Sequence, residues 1–299
     1  MTSAQGYVDD VRNDGVLVYV NGEFVPRDAA RVSVFDAGFV LGDGVWEGLR
    51  LVRGKLLHLD EHLDRLFEGA GAIRLDIGRT RDEVKAALQE TLTRNGMSDG
   101  VHVRFMVTRG RKKTPNQDPR FVIGGPTIVI VAEYKTPQPE TKARGLALWT
   151  STFRCSAPDV FDMRLNSHSR LNLIQALLQA IDAGADEALM LDPNGFVASC
   201  NSTNFFILRK GELWTSTGRY NFKGITRRHV MALARQNGLA TRETDYTLAE
   251  TYAADEVFVT GTLGGVTPVT RIDGRTIGDG RPGATTMRIA DWYAAEAMA

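Results

Sequence analysis

Asn21-Gly22, set between the β-rich runs VLVYV and EFV, constrains the fold more than any other short feature of the chain. Asn-Gly readily adopts the positive φ angles of a two-residue turn, so residues 16–25 are expected to fold back as an antiparallel hairpin. A second pair follows. VWEGLRLV (45–52) reads as a strand, Gly54-Lys55 as a turn and KLLHL as a further strand. Over 58–73, Leu63, Leu66, Phe67, Ala70 and Ile73 recur at helical spacing. Thr80, with Glu83 three residues on, predicts a capped helix over 80–95 that ends at Gly96. Residues 101–108 and 127–132 are β-rich, and the polar stretch 109–119 between them reads as a loop.

Glu133 to Lys142 is polar and contains two prolines, which marks a linker over 134–142. Beyond it, strands are expected at 146–150, 187–191, 205–208, 212–215 and 257–260. Helices are expected at 171–183, 226–237 and 285–298, the first two stopped by Gly184 and Gly238. Strands and helices mix without a regular βαβ alternation. The expected class is α+β in two domains: a small one over 1–133 and a larger one over 143–299.

Lys+Arg and Asp+Glu both total 36, so the formal net charge is zero. That argues against nucleic acid or an anionic membrane as partner and leaves self-association unopposed. The apolar runs are too short for a membrane span. Met1 to Val11 has no apolar centre and is not expected to be a secretory signal. The two cysteines, Cys155 and Cys200, make no disulfide framework, which fits a cytoplasmic location.

Four strings stand in order along the chain. They are Tyr19-Val20-Asn21-Gly22 through Gly44-Val45-Trp46-Glu47-Gly48-Leu49-Arg50, His62-Leu63-Asp64-Arg65-Leu66, Gly224-Ile225-Thr226-Arg227, and Thr260-Gly261-Thr262. In this order and spacing the sequence resembles the class IV aminotransferases, which use pyridoxal phosphate (PLP). The family includes branched-chain, D-amino-acid and (R)-amine transaminases, and the GVWEGLR string is most similar to the branched-chain members. The resemblance implies the two-domain, D-amino-acid aminotransferase-like α+β fold (fold type IV), a small-molecule ligand and a homodimer. It also implies that Arg65, Gly224, Ile225, Thr226 and Thr262 hold a phosphate. Gly224 to Thr226 stand at a helix start, where unpaired N–H groups favour an anion.

The same resemblance exposes two departures. The family's K-x-x-N-R-L-N segment matches Asn166-Ser167-His168-Ser169-Arg170-Leu171-Asn172, which puts Asn166 at the catalytic lysine. No lysine lies between Met163 and Asn172. Lysine joins the cofactor as a Schiff base and moves a proton; an amide does neither. The family's E-x-x-x-x-N matches Ser199-Cys200-Asn201-Ser202-Thr203-Asn204, so Ser199 replaces the glutamate that charges the pyridine nitrogen.

Other residues are candidates to act instead. His168, two residues from Asn166, is a possible base if the segment is extended, or else a plain loop histidine. Arg170 is a cofactor-side residue or a surface arginine. Arg50, Arg104 and Arg109, with Arg111, are a carboxylate clamp or a solvated basic edge. Cys200 reads as a packed thiol, and Lys223 as extra charge at the phosphate. Three functions stay open. The chain holds PLP or its amine form (PMP) without a covalent bond and does limited amino-group chemistry, or it works without PLP on a small phosphorylated or carboxylated molecule, or it binds a ligand without catalysis.

Overall fold

A computed structural model describes residues 3–298. The chain divides into two compact units. One comprises Asp9–Thr136 with Leu165–Arg170; the other comprises, among the described residues, 3–8, Pro137–Arg164 and 171–298. The sequence reading drew one domain over 1–133 and one over 143–299. In the structure, residues 3–8 belong to the later unit, and the six-residue loop 165–170 belongs to the earlier one.

The first unit is built on an antiparallel sheet of β1 (Leu17–Val20), β2 (Glu23–Pro26), β3 (Gly44–Val52), β4 (Lys55–Leu56), β5 (Val101–Thr108) and β6 (Thr127–Tyr134). Its order is β2-β1-β6-β5-β3-β4. The Asn-Gly hairpin forms as its sequence dictates, with Val20 opposite Glu23 and Asn21 at φ 52°. Helices α1 (Leu59–Ala72) and α2 (Arg81–Arg94) cover the sheet. Thr80 and Glu83 make the reciprocal cap at the start of α2. Leu63, Leu66, Leu88 and Leu92 pack with Leu49, Phe105 and Ile130 in one core. Each fully buried side chain of this size stabilises the fold by about 1.5–3 kcal/mol. The expected strand KLLHL shrinks to Lys55–Leu56, because α1 begins at Leu59.

The second unit carries a nine-stranded mixed sheet. Its strands are β7 (Leu146–Thr150), β8 (Glu187–Leu191), β9 (Val197–Cys200), β10 (Asn204–Arg209), β11 (Glu212–Thr215), β12 (Thr241–Glu243), β13 (Glu256–Gly261), β14 (Gly265–Ile272) and β15 (Arg275–Thr276). The order is β9-β8-β7-β14-β13-β10-β11-β12, with β15 on β14. Helices α3 (Leu171–Asp182), α4 (Ile225–Gln236) and α5 (Ala284–Met298) complete it. The sequence reading did not find β9, β14 or the short helix Pro139–Arg144 inside the expected linker. β14 alternates poorly because seven of its eight residues are buried, so its pattern lacks the half-exposed period of two.

Candidate functional site

In the first unit a single buried carboxylate organises the polar residues. Strand β3 sends Val45, Glu47, Leu49 and Leu51 inward by simple alternation, so Glu47 is fully buried. Helix α1 presents His62 and Arg65, one turn apart, to the same carboxylate. His62 Nδ1 lies 2.6 Å from Glu47 Oε2. Arg65 Nε donates to Oε1 at 2.7 Å and Nη2 to Oε2 at 2.6 Å. Burial pushes the Glu47 carboxyl up. The charge of Arg65 and the hydrogen bonds from Arg65 and His62 outweigh that and hold it below its ordinary value.

Loop 165–170 adds to the edge of β3 as an extended segment. Trp46 N donates to Asn166 O and His168 N to Gly44 O, with Val45 and Ser167 as a bridge pair. Gly44 is needed there: a Cβ would lie 2.5 Å from Val107 O and 2.7 Å from the His168 ring. This pairing buries the Asn166 side chain. Its Nδ2 reaches Glu47 Oε1 at 3.4 Å, and its Oδ1 accepts from Arg170 Nη2 at 2.7 Å. Arg170 also donates to the carbonyls of Leu165 and Ser167, so one guanidinium closes the whole loop.

Three arginines therefore act on Glu47. Arg104, opposite Gly48 on β5, stacks its guanidinium 3.6 Å from the centre of the Trp46 ring. Arg170 lies 5.9 Å from the same ring. Burial lowers Arg104, with Glu47 opposing. Burial, then the charges of Arg65 and Arg104, lower Arg170 to about 10. Among the described residues, Arg104 has no hydrogen-bond acceptor. His168 is pulled below the usual imidazole value by burial and by Arg104, so it is neutral at pH 7. Its buried Nε2 has no hydrogen-bond partner among the described residues.

The remaining expected substrate arginines lie elsewhere in this unit. Arg50 acts on His102 and Asp99. Arg109 grips Asp43 through two N–H groups and donates to the carbonyls of Ile73 and Arg74 at the end of α1. These donors tie Arg109 to the loop at Asp43 and to the end of α1.

In the second unit Gly224, Ile225 and Thr226 form the start of α4, while Arg65 stands in the first unit on Glu47. Gly224 is the N-cap, and no side chain caps the helix. The first N–H groups of such a helix have no partner within it. Asn204, the first residue of β10, fixes this entry: its Nδ2 donates to Phe222 O at 2.6 Å and its Oδ1 accepts from Gly224 N at 3.2 Å. A Cβ on Gly224 would lie 2.2 Å from Asn204 Oδ1, so only glycine fits. The Thr226 hydroxyl pairs with Tyr293 OH at 3.3 Å. Thr262 sits in the turn between β13 and β14. Ser199, buried on β9, donates to Thr203 O at 2.8 Å and lies 3.5 Å from Asn204 Nδ2. Cys200 is buried, and burial with the nearby Glu187 charge pushes its thiol well up, so it is no nucleophile.

Glu47, Trp46 and Asn204 have site roles that sequence reasoning did not assign. One signal was available for Glu47: it stands at an inward position of an alternating strand, where an apolar residue is the rule. Asn204 stands at the closing Asn of the E-x-x-x-x-N string, but its partners, the backbone of residues 222 and 224, leave no trace in the sequence.

The sequence matches the amino-transferase class IV family over residues 44–272. It is 41% identical over 281 residues to the branched-chain-amino-acid aminotransferase-like protein 2 of Arabidopsis thaliana, covering 94% of this chain and 50% of that protein. The chain thus spans about half the length of that relative. It is 39% identical to a putative branched-chain-amino-acid aminotransferase of Methanocaldococcus jannaschii, covering 92% of this chain and 94% of that one. Among solved structures it is similar to the branched-chain amino acid aminotransferase of Thermobaculum terrenum in its PLP form. The TM-score is 0.84 at 26% identity, over 96% of this chain and 95% of that one. No helix among the described residues is long and apolar enough to cross a membrane. The fold is the α+β fold-type IV architecture, and the chain belongs to the class IV aminotransferases.

Proposed function

We propose that this chain holds PLP, or its amine form, without a covalent bond, and does not carry out transamination through a lysine. The observation that carries this reading is the state of Asn166. Its amide bridges Glu47 and Arg170, at the position where the family resemblance expects an amine. The fit of a phosphate is supported by the uncapped start of α4 and by the Asn204 clamp that shapes it. When bound, PLP supplies an electron-withdrawing ring that stabilises negative charge beside an amino group.

The residues divide the remaining work. Backbone N–H groups of Ile225 and Thr226 bind the phosphate. Ser199 spends its proton on Thr203 O and carries no charge, so it does not protonate a pyridine nitrogen. Arg104, stacked on Trp46 and lacking an acceptor, binds a carboxylate or phosphate of the small-molecule ligand. Neutral His168, whose Nε2 has no partner among the described residues, accepts a proton there from the bound ligand. A second reading, a PLP-independent reaction on a small phosphorylated or carboxylated molecule, is favoured by the same Arg104, which needs an anion and no cofactor.

Calorimetry and absorbance with added PLP decide between them, followed by borohydride reduction and peptide mass mapping. Saturable binding without stoichiometric labelling of any lysine supports the first reading. Labelling of one lysine at one equivalent overturns it. Absence of binding, with retained binding of a phosphate ester or a 2-oxo acid, supports the second.

A further inference from the structure

The strip Gly42-Asp43-Gly44 is the floor on which loop 165–170 rests. Ser169 Oγ donates to Gly42 O at 3.2 Å, and His168 N to Gly44 O at 3.0 Å. Both glycines are pressed against the loop. A Cβ on Gly42 would lie 2.7 Å from Ser169 Oγ, and one on Gly44 would lie 2.7 Å from the His168 ring. Gly42 also holds a left-handed backbone, φ 70°, which glycine adopts without strain. The side chain between the two glycines, Asp43, turns to Arg109.

Arg109 follows directly on β5, and its backbone N donates to Asp43 O at 3.1 Å. Its guanidinium grips the Asp43 carboxylate with Nε at 2.6 Å and Nη2 at 2.9 Å. The same group donates to Ile73 O at 2.7 Å and to Arg74 O at 2.8 Å, just past α1. Arg74 is left-handed at φ 51°, a conformation uncommon for a residue with a Cβ. Helix α1 brings His62 and Arg65 to Glu47, and loop 165–170 brings Asn166 to the same carboxylate. One planar cation thus joins the end of the helix to the floor of the loop, and both elements converge on Glu47. The Arg109–Asp43 pair is half-buried, where salt screens it less than at the open surface.

We propose that Arg109 is a positioning residue: through Asp43 it fixes the strip 42–44 against α1, and so sets where loop 165–170 presents Asn166, His168 and Arg170. Its side-chain hydrogen bonds go to residues 43, 73 and 74, so it acts on the loop only through the floor. The loop leans on β3 through two backbone hydrogen bonds, Trp46 N to Asn166 O and His168 N to Gly44 O. A segment held by so few bonds opens locally when its support moves. That the loop's side chains serve a ligand rests on the reading under Proposed function; that Arg109 places them does not.

Hydrogen exchange followed by mass spectrometry on the full chain tests the placement. A peptide over 166–170 is compared with one over 128–132 in the same sheet. Arg109→Met is expected to open 166–170 by about tenfold or more and to leave 128–132 within about twofold of the wild type. Asp43→Asn is expected to do the same, and the two changes together no more than either alone, because both cut one tie. Arg109→Lys keeps a cation on Asp43 and should restore part of the protection. A second readout follows Trp46, whose Nε1 donates to Ser167 O at 3.1 Å. With fluorotryptophan at the four tryptophans, the fluorine resonance assigned by Trp46→Phe should move in Arg109→Met and Asp43→Asn while the others hold. A merely structural role would raise exchange in both peptides alike, and that result overturns the proposal. So does unchanged exchange over 166–170, or additive effects in the double variant. If Arg109→Met does not fold, Asp43→Asn decides alone between selective and uniform opening. Calorimetry with PLP separates the two claims: a wild type that does not bind counts against the ligand reading, and the exchange result still decides this one.

Discussion

Asn166 Nδ2 sits 3.4 Å from Glu47 Oε1, while Asn166 Oδ1 receives the Arg170 guanidinium at 2.7 Å. The amide therefore stands between a buried anion and a half-buried cation and contacts both. Glu47 depends on this shell, and above all on Arg65, whose two N–H groups face its two oxygens.

Arg65→Ala is expected to be costly for that reason. It strips the main cation from a carboxylate with no solvent access, a loss of about 3–5 kcal/mol. Arg65→Ala combined with Glu47→Gln should recover part of the loss, since no charge then remains unpaired. Urea denaturation of the two variants checks this.

Acid stability has a sign that Glu47 sets. Its folded value lies below the ordinary carboxylate value, so its contribution is present above that value and is lost as pH falls through the folded one. Denaturation midpoints of the wild type should therefore drop on acidification, and those of Glu47→Gln should drop less. Parallel curves for the two proteins would remove Glu47 from the acid response.

Arg104 should behave differently from Arg65, because it serves no carboxylate by hydrogen bonding. Arg104→Met loses a cation–π contact worth about 0.5–2 kcal/mol but leaves no buried charge behind. Binding of a small 2-oxo acid such as pyruvate should weaken by about tenfold or more while the denaturation midpoint moves little. Unchanged affinity in calorimetry would return Arg104 to a structural role.

How far the site was legible depended on whether its parts were local. The Asn-Gly hairpin, the Thr80–Glu83 cap and the α1 stripe were readable because period and turn chemistry act over a few residues. The start of α4 was readable for the same reason. The Glu47 shell was not, because it joins residues 47, 62, 65 and 166 across three elements. The contacts of Arg109 were hidden for the same reason: its partners at 43, 73 and 74 are distant in the sequence.

Self-association is a further expectation. Helix α3 exposes Leu171, Ile174, Leu178 and Ile181, spaced as one stripe of a helix, and its sequence carries no charge before Asp182. In the first unit Val34, Phe35, Phe39 and Leu41 are also exposed. An uncharged apolar stripe of this kind suits a second copy of the chain. Sedimentation velocity should show a dimer for the wild type and a monomer for Ile174→Lys with Phe39→Lys. A wild-type monomer at micromolar concentration would refute the assembly.

The two replacements at positions 166 and 199 make the strongest combined test. Asn166→Lys puts an ammonium beside Glu47, which favours its charge, and takes from Arg170 the acceptor it now uses. The amine should label with PLP after borohydride reduction, a reaction that the wild type lacks at this position. Amino-group transfer should nevertheless stay slow, because Ser199 carries no charge to hold a pyridine nitrogen protonated. Adding Ser199→Glu supplies that charge, although the carboxylate must displace the present bond from Ser199 to Thr203 O. Groups that serve one intermediate are non-additive in rate. The double variant should therefore exceed the product of the two single effects when half-reactions with amino acids and simple amines are followed by absorbance. If Asn166→Lys alone matched the double variant, the role given to Ser199 would fall. If neither variant gained a labelled lysine at 166, the register that equates Asn166 with the family's lysine would fall with it.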